Sequence, residues 1–282
     1  MKITTLIENT IVDNIPGIKP EHGVALLIES GSHTFLADTG ASSLLFRNAE
    51  VLKADMTKID FAVISHGHFD HSGGIRLFLE MNPEAKVYLK EKAFDKYYIN
   101  IFGFFKKYIG IDQALLRDYR ESFIFTDEFS EIAENIFIIP DVLINHPKPR
   151  GNAKLCAVAD KKLIPDDFSH ELILVIKEED GNVVFTGCSH NGILNMIETV
   201  EKYFPGETIK AVIGGFHLHN PIKNTMAEKE ESVKALGKQL AEKSNLLKVY
   251  TGHCTGIPAY SILKSQMGDK LEDFPAGSSF LL

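Results

Sequence analysis

The chain has 282 residues, 44% apolar and 24% charged, with no tryptophan, 19 phenylalanines and 11 histidines. Its length fits one large domain that buries roughly three quarters of its unfolded-state surface, so no disulfide framework is required. With 30 basic and 38 acidic side chains the net charge is −8, which argues against a protein that coats nucleic acid or an anionic membrane.

The opening stretch MKITTLIENT carries one lysine and a short apolar run broken by Glu8 and Asn9, unlike a secretory leader. No run of 18 apolar residues occurs, so no membrane-spanning segment is expected. Three cysteines, Cys156, Cys188 and Cys254, are too few and too odd in number for a secreted scaffold. A reducing, cytoplasmic location follows from them.

Strand-like runs occur at 2–7, 24–29, 33–38, 60–65, 86–89, 135–139, 172–177, 182–186, 210–213 and 247–251. Helical patterns fall at 41–53, 73–81, 92–107, 192–203, 225–243 and 257–267. Early hairpin-like strands followed by strand–helix alternation predict an α+β fold of two mixed sheets with helices outside. We expect one domain over 1–282, with 92–125 standing apart. That stretch interleaves Phe94, Tyr97, Tyr98, Phe102, Phe104, Phe105 and Tyr108 with Lys92, Lys96, Lys106 and Lys107. It reads either as an amphipathic helix burying its aromatics or as a cap over a pocket, with ring faces for an aromatic group and lysines for an anion.

The chemistry concentrates in Ser65-His66-Gly67-His68-Phe69-Asp70-His71-Ser72-Gly73-Gly74, directly after an apolar strand. In extended chain, residues two apart point the same way, so His66 and His68 can grip one ion. The chain then turns and presents Asp70 and His71 to a neighbouring position. Imidazoles with a carboxylate suit zinc, and also iron, manganese or magnesium. One loop cannot saturate two ions, so further ligands must come from other strand ends. Cys188 and His190, His217 or His219, and His253 each follow an apolar strand and a glycine. Cys188 is a thiolate ligand or a small buried hydrophobe. His170, just before the 172–177 run, is a further candidate. Asp38, ending the 33–38 run, is either a turn residue or a carboxylate that holds the N–H of a ligand histidine. Cys156 and Cys254 read as packing residues, and His22, His33 and His146 as ordinary ones. The segments 61–75 and 183–193 echo each other as strand, small-residue turn, ligand-type residues, then Gly-Ile opening a helix.

Asp38-Thr39-Gly40, the His66–His71 motif and the strand-end histidines, in this order, resemble the metallo-β-lactamase superfamily. The resemblance implies an αββα sandwich with a mono- or dinuclear metal site at one edge. Thr-Gly-Cys-Ser-His-Asn-Gly-Ile (186–193), Gly-Gly-Phe-His-Leu (214–218) and Gly-His-Cys-Thr-Gly (252–256) are similar to the branch of dihydropterin ribofuranosylaminobenzene 5′-phosphate synthase-like proteins. Two features depart from the superfamily pattern. The Pro-Gly-His-Thr motif is absent, leaving His190 or His170 as the third histidine, and Cys188 stands where a bridging aspartate is usual. The implied ligand sets are His66, His68 and His190 (or His170) on one ion, and Asp70, His71 and His253 on the other.

The resemblance implies a hydrolase that uses a metal-activated water on an ester or phosphoryl group of a small, anionic substrate. Asp70 would ligate and steer the water, and His217 would protonate the leaving group or contact a phosphate. The alternatives are a pterin-type transferase, joining a dihydropterin diphosphate to an aminobenzene ribofuranosyl phosphate, and an iron-binding redox or sensing protein.

Overall fold

The computed structural model describes residues 1–101, 105–220 and 225–282. Phe102, Gly103 and Phe104 of the aromatic stretch lie outside the described residues.

Two seven-stranded sheets carry the fold. The first has the spatial order Ser279–Leu281, Lys2–Ile7, Ala25–Ser30, His33–Ala37, Phe61–Val63, Lys86–Leu89, Phe123–Phe125. It is antiparallel up to His33–Ala37 and parallel beyond. The second runs Leu271–Glu272, Leu246–Tyr250, Ile209–Ile213, Gly181–Phe185, Ile173–Glu178, Ile136–Ile139, Ser130–Ala133. Here the strands from Leu271–Glu272 to Gly181–Phe185 are parallel, and the rest are antiparallel.

Side-chain alternation along the strands builds the layers. Ile3, Leu26, Ile28, Phe35, Phe61 and Val63 face Ile138, Leu174, Ile176, Val183, Phe185 and Ile213 in one core between the sheets. The opposite faces pack on helices. Leu6, Leu27, Leu36, Ala62 and Val87 meet Leu45 and Ala49 of helix Leu44–Val51 and Phe78 and Leu79 of helix Ile75–Met81. Val175, Val184, Val212 and Val249 meet helices Ile193–Tyr203, Glu230–Glu242 and Ile257–Met267. The result is the expected αββα sandwich. Among the described residues no helix is long and apolar enough to cross a membrane.

The helix expected over 92–107 does not form. A single 3-10 turn, Glu91–Phe94, leads into strands Tyr97–Ile101 and Phe105–Tyr108. Tyr and Ile crowd this stretch, residue types that suit a pleated surface better than a helix. The two strands join Leu155–Ala159 and Lys162–Pro165 in a four-stranded sheet, with Tyr97, Ile109, Leu155 and Phe168 as its small core. The helix expected over 225–243 begins later, at Glu230, because Thr225–Met226 pairs with His219–Asn220.

Loops between strands and helices close against each other tightly. A Cβ on Gly73 would sit 2.0 Å from the Ala41 carbonyl oxygen, and Gly73 N–H donates to the Gly40 carbonyl at 2.7 Å. Gly73→Ala must push two backbones apart beneath the metal loop, so a loss of about 3 kcal/mol or more is expected in urea unfolding. A midpoint equal to that of the wild type would show that the loop yields freely.

Candidate metal centre

The loops that follow Phe61–Val63, Gly181–Phe185, Ile209–Ile213 and Leu246–Tyr250 meet at one edge of the sandwich. They deliver His66 to His71, Cys188 and His190, His217 and His219, and His253. Two subsets of their ligand atoms lie within 4.8 Å of one another: the imidazoles of His66, His68 and His190, and those of His66 and His71 with the Cys188 sulfur. Further such groups join Cys188 to His190 and His217, and Cys188 to His253 and Cys254. Cys188 therefore stands between the two expected ligand sets. Several residues here hold a left-handed backbone, including Asp38 (φ 59°), Ser189 (φ 51°), His217 (φ 49°) and His253 (φ 47°). Non-glycine residues adopt this at a cost, and such strain collects where side chains must be aimed.

Three of these imidazoles are gripped at Nδ1. His66 Nδ1 lies 2.9 Å from Ser65 Oγ, His190 Nδ1 2.9 Å from Asn152 Oδ1, and His253 Nδ1 2.9 Å from Asn9 Oδ1. Among the described residues, the Nε2 atoms of His66, His68, His190 and His253, both ring nitrogens of His217, and Nδ1 of His219 are buried without a hydrogen-bond partner. A buried polar atom left unpaired costs about 1–3 kcal/mol, and so many in one place call for a ligand. Neutral imidazole nitrogens with a thiol and a carboxylate are a donor set that divalent zinc, iron or manganese accepts. The residues fit a metal.

Charge supports the same reading. Burial, reinforced by neighbouring histidines, holds His66 and His190 well below the usual imidazole range and pushes His68 down to about 3. All three are neutral, the form that binds metal. Burial opposes the charge of Asp70, but the rings of His22 and His253 outweigh it and hold its carboxyl well below the usual range. Burial likewise opposes the His71 cation, yet the Asp38 carboxylate wins and lifts it to about 9. Asp38 accepts from Ser65 N–H and Oγ–H, both at 2.8 Å, and lies 2.6 Å from His71 Nδ1. The His71 Nε2 is 3.2 Å from the Cys188 sulfur.

An ion that takes His71 Nε2 must displace that proton at any pH below about 9. Metal binding at neutral pH is therefore expected to release a proton from His71, and affinity to fall by about tenfold per pH unit on acidification. Calorimetric titrations in buffers of different ionisation enthalpy read this directly; a buffer-independent heat at pH 7.5 would contradict it.

Several expectations change on the structure. His170, a candidate ligand, has both ring nitrogens engaged within the protein. Gly67 N–H donates to its Nδ1 at 2.9 Å, and its Nε2 lies 3.1 Å from Asp166. These bonds tie it to the loop that carries His66 and His68. His22, read as ordinary, places Nε2 3.2 Å from the Asp70 carboxylate and its ring centroid 4.7 Å from that of His253. Cys254, read as packing, borders the cavity and accepts from His217 N–H at 3.3 Å. His33 and His146 pair with Asp60 and Glu198 away from these groups. Nothing in the sequence singles out Glu171. Its buried carboxylate accepts from His190 N–H at 2.7 Å, Asn191 N–H at 2.8 Å and Asn191 Nδ2 at 2.9 Å, and burial pushes its pKa up to about 8.

Above these groups opens a cavity of about 1010 Å³. The four-stranded sheet supplies one wall through Ile99, Ile101, Lys107 and Leu155, with Phe69 and Ile109 beside them. Lys107 Nζ lies 5.5 Å from the Phe69 ring centroid. Two of the aromatics of that stretch pack elsewhere: Phe94 lies in the outer core, and the Tyr97 ring sits tilted against His170, their centroids 4.1 Å apart.

Known proteins match this chain over its length. An uncharacterised protein of Methanocaldococcus jannaschii is 30% identical over 90% of the chain and 92% of its own length. A 7,8-dihydropterin-6-methyl-4-(beta-D-ribofuranosyl)-aminobenzene-5′-phosphate synthase of the same organism is 28% identical, covering 98% of this chain and 95% of that one. A crystal structure described as a metal-dependent hydrolase of the beta-lactamase superfamily superposes with a TM-score of 0.82 at 29% identity, over 100% of this chain and 99% of that one. The metallo-beta-lactamase superfamily model itself matches residues 18–192, and with the sandwich and its strand-end histidines already described, this chain belongs to that superfamily.

Proposed function

We propose that this protein is a divalent-metal-dependent hydrolase of an anionic ester or phosphoryl compound. The observation that carries the reading is the set of buried, unpartnered imidazole nitrogens on the floor of a cavity large enough for a small-molecule substrate. His66, His68 and His190 would hold one ion, and Asp70, His71 and His253 a second, with Cys188 between them. Zinc is the metal we favour. Bound ions supply Lewis acidity and neutralise negative charge that develops on a carbonyl or phosphoryl oxygen.

The chain's own groups do the rest. Asp70, ionised in its pocket, accepts a hydrogen bond from a nucleophilic water and orients it. Asp38 fixes the His71 tautomer by holding Nδ1, and Asn152 and Asn9 do the same for His190 and His253. His217, its ring 4.2 Å from that of His190 and bordering the cavity, is placed to give a proton to the leaving group. The apolar wall of Ile99, Ile101 and Phe69 excludes water from the reacting end. Phosphomonoesters, phosphodiesters, lactones and thioesters, screened with and without a chelator, test this; failure to turn over any of them with metal at full occupancy would remove the hydrolytic reading.

A second reading is transfer, supported by the pterin-synthase relative that spans nearly the whole chain. In it the same groups would hold a departing diphosphate while an arylamine attacks. Incubation with dihydropterin diphosphate and the aminobenzene ribofuranosyl phosphate separates the two: a coupled product favours transfer, and hydrolysed diphosphate alone favours hydrolysis.

A further inference from the structure

Resting on the phosphoryl reading and refining it, we propose that the cavity wall formed by His217, His219 and the start of helix Ile257–Met267 is an anion subsite for a phosphoryl group of the substrate.

The loop of residues 216–219 lies along the residues that lead into this helix. Phe216 N–H donates to Thr255 Oγ1 at 3.0 Å and His217 N–H to Cys254 Sγ at 3.3 Å. Gly256 completes the approach. Its φ of +75° turns the chain into the helix, and a Cβ there would stand 3.0 Å from His219 Nδ1. Gly256, Ile257 and Pro258 then border the cavity together with both histidines.

The helix is 11 residues long and has no side-chain cap. Tyr260 N–H closes the first turn on the Gly256 carbonyl, while among the described residues nothing accepts from the N–H of Ile257 or Ala259. Pro258 has no N–H to offer. A helix start with free amides carries a partial positive charge and suits an anion. An independent observation points the same way. His217 is only 8% exposed, yet among the described residues neither of its nitrogens has a hydrogen-bond partner, and His219 Nδ1 is also buried without one. Amide and imidazole N–H groups are donors, and a phosphoryl group brings several acceptor oxygens on one centre.

The carboxylates nearby do not satisfy these donors. Glu8 is taken by Thr10 N–H at 2.6 Å and by Thr10 Oγ–H and His253 N–H, both at 2.5 Å. Asp70 faces His22 and His253, and Asp273 also borders the cavity. Because the His217 ring packs 4.2 Å from His190, the subsite adjoins the first metal group rather than standing apart from it.

The test is calorimetric titration of the metal-loaded, full-length protein with inorganic phosphate, with metal content measured on the same samples. Ile257 is 72% exposed and occupies the first helical position, where proline is well tolerated, so Ile257→Pro deletes one amide donor and little else. Ile257→Pro and His219→Ala are each expected to weaken phosphate about tenfold with metal content unchanged, and Ile257→Ala to bind as the wild type does. Wild-type affinity in both Ile257→Pro and His219→Ala overturns the proposal. So does a weakening that follows loss of metal, since it places the effect at the ions. Phosphate binding in the expected pattern by a protein that hydrolyses none of the screened esters supports the subsite and overturns hydrolysis; active enzyme with unchanged affinities overturns the subsite alone.

Discussion

His68→Ala is expected to lose bound metal and to lower kcat/KM by about 1000-fold or more. His68 sits at the turn into the short helix Phe69–Ser72, with extended backbone (φ −96°, ψ 147°) that aims its ring back at His66 and His190. The three imidazoles form one group, and removing one leaves two neutral donors that hold a divalent ion poorly. Several kcal/mol of transition-state stabilisation goes with the ion, and each 1.4 kcal/mol is about tenfold in rate. Metal analysis of purified protein, together with turnover of whichever ester the screen identifies, reads both effects. Full metal content and full turnover in His68→Ala would remove the His66–His68–His190 group from the chemistry.

Asp38→Asn acts without touching an ion. Asparagine tolerates the left-handed backbone that Asp38 adopts, so the turn survives. What changes is the bonding. The carboxylate accepts from Ser65 twice and from His71 once, whereas an amide has only one acceptor oxygen and must turn its NH2 toward some of those donors. His71 then loses both its fixed tautomer and the charge that raises its pKa. Affinity at the proposed Asp70–His71–His253 set is expected to fall 10- to 100-fold, measured by competition with a chromophoric chelator, with less proton release on binding. Wild-type affinity and proton release would mean that Asp38 is only a turn residue.

Much of the architecture was legible because its signals are local. Short β-rich runs bounded by Gly, Asp and Asn mark strands, and the alternation with helices marks a layered α+β fold. The 92–107 stretch failed because density of apolar residues does not by itself give a period. Tyr97–Ile101 becomes a strand through pairing with Leu155–Ala159, a partner far along the chain. The same division runs through the site. His66, His68, His190, His217 and His253 all follow apolar strands, so a rule about strand ends finds them. His22 precedes its strand, Ala25–Ser30, and comes to Asp70 only because Gly23 lets the two backbones meet: a Cβ there would be 2.4 Å from the Asp70 carbonyl oxygen. Asn9, Asp166 and Glu171 in loops and Asn152 in the 3-10 turn Arg150–Lys154 are single polar residues, ordinary in sequence and recognisable only by what they touch. His170 shows the converse, a histidine beside a strand with both nitrogens already engaged.

The bonds from His253 to Glu8 and Asn9 cross 245 and 244 residues of chain. They impose an order on how the centre is assembled as the protein is made. The His66–His68–His190 group has all its members once residue 190 has been synthesised. The proposed Asp70–His71–His253 set cannot be complete until the loop after Leu246–Tyr250 has been made and has reached Glu8 and Asn9. A ribosome-bound chain shorter than 253 residues thus lacks one donor of the proposed second set, His253, which takes its place only when its loop has reached Glu8 and Asn9.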